Sequence, residues 1–270
     1  MSTSNERPSD LPDFLHPPLN EVVLGVQFSP PQGYNSIYAG EVWNLFRSDY
    51  PTVEEQPPLP PTFETFGLPS VRKPSIEFVN GSMPRRYWFL THDKTELIQF
   101  QDDRLLHNWR KTADKDNNYP RYEAMVARFE IEFNRLHEYV RSTFKKNLAI
   151  NQCEISYINH IYFDGDFSNP PWFRLLDFNG PCPEEMAALF REVVSDQDGN
   201  PQARLTYEIK TGYALGGRQV IVFDLTYRGK PKSSEISDAL ALIEEGRSVI
   251  VKKFTMLTTD VAHATWGRTQ

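Results

Sequence analysis

Two runs of apolar residues, spaced by three and four, constrain this chain more than any other feature. The first is Tyr122, Met125/Val126, Phe129, Phe133, Leu136, Val140 and Phe144, and it predicts a long helix from Pro120 to about Lys146. Pro120 is tolerated there because a first helical turn does not need its N–H. The second run is Ile236, Leu240, Ile243, Arg247, Ile250, Phe254 and Leu257, and it predicts a helix capped by Ser233 or Ser234. A helix with one apolar stripe must lay it on another element, so the strands become the next question.

Period-two alternation marks them. Val22, Leu24, Val26 and Phe28 share one face of a segment whose other face carries Val23, Gly25 and Gln27. Further strands are expected at 87–91, 96–100, 105–110, 153–163, 205–210 and 219–227, with turns at Asp102-Asp103 and Gly216-Gly217. A shorter helix is expected over 36–50, and another near Pro183 with Met186, Leu189/Phe190 and Val193 inward. Thr259 to Trp266 forms a last turn, stopped by Gly267.

The order strand, helix, strands, long helix therefore occurs twice, over 21–150 and 151–270. The expected fold is α+β: an antiparallel curved sheet from two similar halves, with long amphipathic helices packed on one face. Residues 1–20 read as an extended tail, and the two halves as one unit. The first half is enlarged by a proline-rich insert, 51–84. Its prolines, from Pro51 to Pro84, argue against a regular element, while Phe63, Phe66, Leu68, Ile76 and Phe78 argue for docking along the body.

Composition narrows function mainly by exclusion. The net charge of −7, with 29 basic against 36 acidic residues, lacks the basic excess of a nucleic-acid module. No run of eighteen apolar residues predicts a membrane helix, and the two cysteines, Cys153 and Cys182, form no disulfide framework. A cytoplasmic protein is expected. No Walker loop or glycine-rich strand-to-helix turn is present. His16, His92, His107, His137, His160 and His263 have no metal-ligand spacing, so no metal or other cofactor is expected. Cys153 and His160 lie seven apart in one strand and face opposite ways, which rules out a simple dyad.

Several polar residues stand out against apolar surroundings and are the candidate ligand- or partner-binding residues. Asn159 and His160 sit on opposite faces of strand 153–163. Each must be satisfied by a neighbouring element or by a ligand. Arg247 interrupts an apolar helical stripe and needs a carboxylate such as Asp224, or a bound anion. Arg110 ends a strand beside Trp109. Arg85 and Arg86 precede Tyr87-Trp88-Phe89, a composition that suits base stacking but also guards a sheet edge.

The opening Pro17-Pro18-Leu19-Asn20-Glu21-Val22-Val23-Leu24-Gly25-Val26-Gln27-Phe28 is followed in order by Asn108-Trp109-Arg110, Tyr119-Pro120-Arg121-Tyr122-Glu123, Tyr157-Ile158-Asn159-His160, Phe254 with Thr258-Thr259, and Trp266-Gly267. In these motifs the chain resembles a sporadically distributed bacterial family of uncharacterised proteins of about this length. The resemblance implies no catalytic residue and no cofactor. Its patchy distribution implies an accessory role in a defence or toxin-control locus. The resulting expectation is a binding or interaction protein that partners another protein, with a homo-oligomer compatible. A small-ligand binder or unrecognised enzyme with a cavity between sheet and helices is the alternative, and nucleic-acid binding is a third.

Overall fold

In a computed structural model, residues 8–67, 85–112, 117–164, 172–174, 184–214 and 216–270 are described. Nine strands form a single antiparallel sheet among these residues. In chain order they are β1 (Leu19–Phe28), β2 (Thr52–Gln56), β3 (Arg86–Leu90), β4 (Glu96–Gln101), β5 (Arg104–Arg110), β6 (Ile150–Tyr162), β7 (Ala187–Ser195), β8 (Pro201–Tyr213) and β9 (Gln219–Gly229). The helices are α1 (Ala39–Phe46), α2 (Tyr122–Phe144), α3 (Ile236–Leu257) and α4 (Asp260–Thr265).

Across the sheet the strands run β2-β3-β4-β5-β1-β6-β9-β8-β7. The order is a palindrome about the β1–β6 seam: β1-β5-β4-β3 on one side, β6-β9-β8-β7 on the other, with β2 added at the first end. Each half closes on a long helix, so the two similar halves and the curved sheet are as the sequence indicates. The seam is long, with Val22 opposite Tyr157, Leu24 opposite Ile155 and Val26 opposite Cys153.

One face of the sheet carries the helices. Val22, Leu24, Val26 and Phe28 are 0–2% exposed and belong to one apolar cluster that spans both halves. α2 lies over β5 and β1, and α3 over β6 and β9. On α2, Tyr122, Met125, Phe129, Phe133, Leu136 and Val140 are buried, as the stripe predicts. α3 comes closest to the sheet at Gly246, where an added Cβ would sit 2.5 Å from Tyr227 Cδ1 and 2.8 Å from Ile155 Cγ2.

Two expectations need correction. The segment near Pro183 is not a helix: from Ala187 to Ser195 it is β7, paired along its length with β8. Met186, Leu189/Phe190 and Val193 do fall at helical spacing, but Ala188, Phe190, Glu192 and Val194 also alternate with Leu189, Arg191 and Val193. Pairing with a long neighbouring strand decides between two patterns that the residues fit equally. The proline-rich insert also contains a regular element, β2, in the proline-free stretch after Pro51. Smaller shifts occur at the caps. Asn35 accepts from Ile37 N at 3.1 Å and caps a short 3-10 turn ahead of α1, and α3 starts at Ile236 without the side-chain cap expected from Ser233 or Ser234. Leu68, Ile76, Phe78 and Cys182 lie outside the described residues.

Gly246→Ala is expected to destabilise the protein by about 1–3 kcal/mol through overpacking. Gly40→Ala, in an exposed position of α1 with open space around it, should gain roughly 0.5–1 kcal/mol. Urea unfolding midpoints of the two variants check both signs.

Candidate functional site

The helix-free face is polar but well occupied. A row of side chains crosses it: Gln101 on β4, Arg104 on β5, Gln27 on β1, Gln152 on β6 and Arg204 on β8. These hold the main chain of the proline-rich segment 57–67. Leu59 N donates to Gln101 Oε1 at 2.9 Å, and Gln101 Nε2 donates back to Leu59 O at 3.0 Å. Arg104 Nη2 donates to the carbonyls of Leu59 and Pro60, at 3.2 and 3.1 Å. Thr62 N donates to Gln27 Oε1 at 2.9 Å, and Arg204 Nη2 donates to Thr65 O at 2.7 Å. Proline-rich chain has too few N–H groups to pair as an ordinary strand, so side chains replace the ladder. This part of the insert is laid along the body, but through its main chain rather than its apolar residues: Phe63 is 56% exposed, and Phe66 lies under the Arg204 guanidinium.

Two of the arginines singled out from the sequence, Arg86 and Arg110, lie near one end of this face. Arg86 and Arg110 both approach the Trp88 ring, with guanidinium carbons 5.7 and 5.5 Å from its centroid. Arg86 also bonds Gln99 and Pro57 O, Arg110 Nε donates to Lys94 O, and Arg85 pairs with Glu55. Tyr87 and Phe89 turn instead to the helix side, in ring contact with one another and with Phe100 and Phe46. The basic–aromatic run is thus divided between two faces.

Asn159 and His160 do point opposite ways. Asn159 is buried on the helix side, where its amide donates to Phe223 O at 3.0 Å and Tyr157 O at 3.4 Å. It borders a cavity of about 60 Å³ with Tyr119, Tyr157 and Phe254. His160 is half-buried on the other face, and burial lowers its pKa. Arg247 is 1% exposed, stacked 4.3 Å over Tyr122 and paired with Glu123 and Glu244. Its carboxylates come from α2 and α3; Asp224 faces the opposite side of the sheet. The six residues therefore form no single pocket: Arg86 and Arg110 meet at Trp88, Arg85 lies at the edge, and Asn159, His160 and Arg247 are separately placed.

The two ends of the sheet differ sharply. At one end β2 is five residues long and presents Glu54 and Glu55, which pair with Lys94 and Arg85. Short length and charge are standard protection for an edge. At the other end β7 is nine residues long, and no strand pairs with its outer side among the described residues. Leu189, Val193 and Phe190 are 51%, 48% and 36% exposed. The helix-facing side of β7 is fixed in place: Phe190 stacks on Tyr207 at 5.0 Å, and Glu192 takes bonds from Tyr207 Oη at 2.9 Å and Lys253 Nζ at 2.7 Å. Burial raises the Glu192 carboxyl, but these two donors outweigh it and leave the group below its usual range. The strand is thus pre-shaped while its apolar chains stay open. Leu189, Arg191 and Val193 share the helix-free face of β7, and Ala188, Phe190, Glu192 and Val194 the helix side.

Comparison with protein-family models, curated proteins and solved structures gives no match. Among the described residues no group of three or more His, Cys, Asp and Glu side chains could hold a metal, and no helix is long and apolar enough to cross a membrane.

Asp224 provides a pH test of the helix-free face. Burial, with Glu208 and Glu154 adding to it, raises its carboxyl from 3.8 to about 6, against the opposing Thr226 hydroxyl and Lys210. The folded state therefore favours the proton, and stability relative to the unfolded chain falls as pH rises between those two values. Asp224→Asn should stabilise the protein by roughly 2–3 kcal/mol at pH 7 to 8. The gain should vanish below about pH 4, which denaturant melts across pH will show.

Proposed function

We propose that this protein is an interaction module that takes up an extended segment of a partner protein along the outer side of β7. The observation that carries the reading is the contrast between the ends of the sheet: β2 is short and charged, whereas β7 is long, anchored and apolar. Strand addition gains main-chain hydrogen bonds along the edge and side-chain contacts on both faces. Leu189 and Val193 would take apolar residues four apart in the partner, with Phe190 flanking them on the helix side.

A second copy of the chain fits this edge poorly. Two β7 strands paired antiparallel over their full length would centre on residue 191. That arrangement sets Arg191 against Arg191 and Glu192 against Phe190, and like charges directly opposite are unfavourable. An accessory role in a defence or toxin-control locus belongs to the same reading and is supported by the family resemblance alone.

Coexpression with the products of neighbouring genes is expected to give a stable complex in which β7 amides exchange slowly with solvent. Leu189→Lys with Val193→Lys should weaken that complex at least tenfold, while changing the stability of the free protein by no more than about 0.5 kcal/mol. A complex unaffected by the double substitution, or none with any neighbouring product, would overturn the reading.

A further inference from the structure

A second site lies away from β7, under α2 in the first half. A cleft of about 390 Å³ opens between α2 and the ends of β4 and β5, within the size range of small-molecule sites. Its lining includes His107, Glu96, Glu132, Arg128, Asp49 and Arg135. Ala124 and Ala127 on α2 keep one wall small.

His107 is 0% exposed, and its Nδ1 lies 2.9 Å from Glu132 Oε2. The other oxygen of Glu132 accepts from the Tyr50 hydroxyl, which itself accepts from Arg128 Nε at 2.9 Å. Since a Glu132 carboxylate can only accept, Nδ1 is the protonated nitrogen of a neutral His107 ring. Nε2 of the neutral ring then holds a lone pair, and it has no hydrogen-bond partner among the described residues. Such an acceptor is costly to bury unmet. Beside it on the same face of the sheet, Glu96 is a diagonal neighbour, because Ile98 stands opposite His107 and Glu96 opposite Trp109. Glu96 Oε2 also makes no hydrogen bond, although Arg128 Nε is 3.4 Å away.

The charges point the same way. Three carboxylates, Asp49, Glu96 and Glu132, share two guanidiniums. Arg135 pairs with Asp49 at 3.3 Å, so Arg128 alone serves both Glu96 and Glu132. With His107 as the neutral ring, the cleft is one positive charge and one hydrogen-bond donor short.

We infer that this cleft binds a small cationic nitrogen compound, an alkylamine or a guanidine, whose N–H groups reach His107 Nε2 and Glu96. A single N–H-bearing cation makes up both deficits. A carboxylate or phosphate would add to the negative excess and bring no donor for Nε2, while a neutral alcohol would supply only the donor.

Calorimetric titration of the full chain with n-butylamine and methylguanidine, against n-butyrate and n-butanol, tests the assignment. Saturable binding of the two cations at millimolar concentration is expected, with n-butyrate inert and n-butanol weaker than either cation. Glu96→Gln keeps the side-chain volume at a partly exposed position and should lower affinity roughly tenfold. Because His107 substitutions risk the fold, nitrogen NMR of the intact ring gives the second readout: the Nε2 resonance should move on addition of the amine, while Nδ1 remains protonated. No saturable binding of either cation, equal affinity in Glu96→Gln, an unmoved Nε2 signal, or preference for n-butyrate would each overturn the proposal.

Discussion

The pairing of β1 with β6 is the interaction on which the rest of this architecture depends. It joins the first strand of each half into the middle of one sheet, with partners running from Leu19 opposite Asn159 to Phe28 opposite Ile150. Each half presents only a short run of strands, one long helix and one short one, a small surface on which to build a core. Across the seam, Val22, Leu24 and Val26 meet Tyr157, Ile155 and Cys153, and the two apolar interiors become continuous. The palindromic strand order follows directly, because each half then grows outward from its own first strand.

Much of this was legible in the sequence where a single period persists. The stripes of α2 and α3 run for six turns, and no competing pattern fits them. β1 and β6 alternate for long enough to assign faces, which is why Asn159 and His160 could be placed on opposite sides. Where two periods coexist the residues do not decide. Leu189, Phe190 and Val193 satisfy a helix and a strand alike, and only β8, already present as a neighbour, selects the strand. The proline-rich stretch had the opposite difficulty: its hydrogen-bonding partners are glutamines and arginines scattered over five strands.

The polar groups show the same division. Arg247 is conspicuous because it breaks an apolar stripe, and the structure answers it with two carboxylates and a tyrosine ring. Glu132 breaks the α2 stripe in the same manner, between Phe129 and Leu136, and it was equally available to inspection. Its partner His107 was not, since a lone histidine in a strand gives no hint of a carboxylate on a helix 25 residues later. Pairs of this kind depend on how a helix crosses a sheet, a quantity that one-dimensional spacing does not contain.

The inequality of the two sheet ends has a consequence for stoichiometry. A sheet with two receptive borders can recruit neighbours at both and propagate into a fibre. Here one border carries the paired charges of Glu54 and Glu55, so among the described residues only the β7 border is long and unprotected. Stoichiometry is limited accordingly: a sheet with a single unprotected border does not offer the two complementary borders that an open array requires.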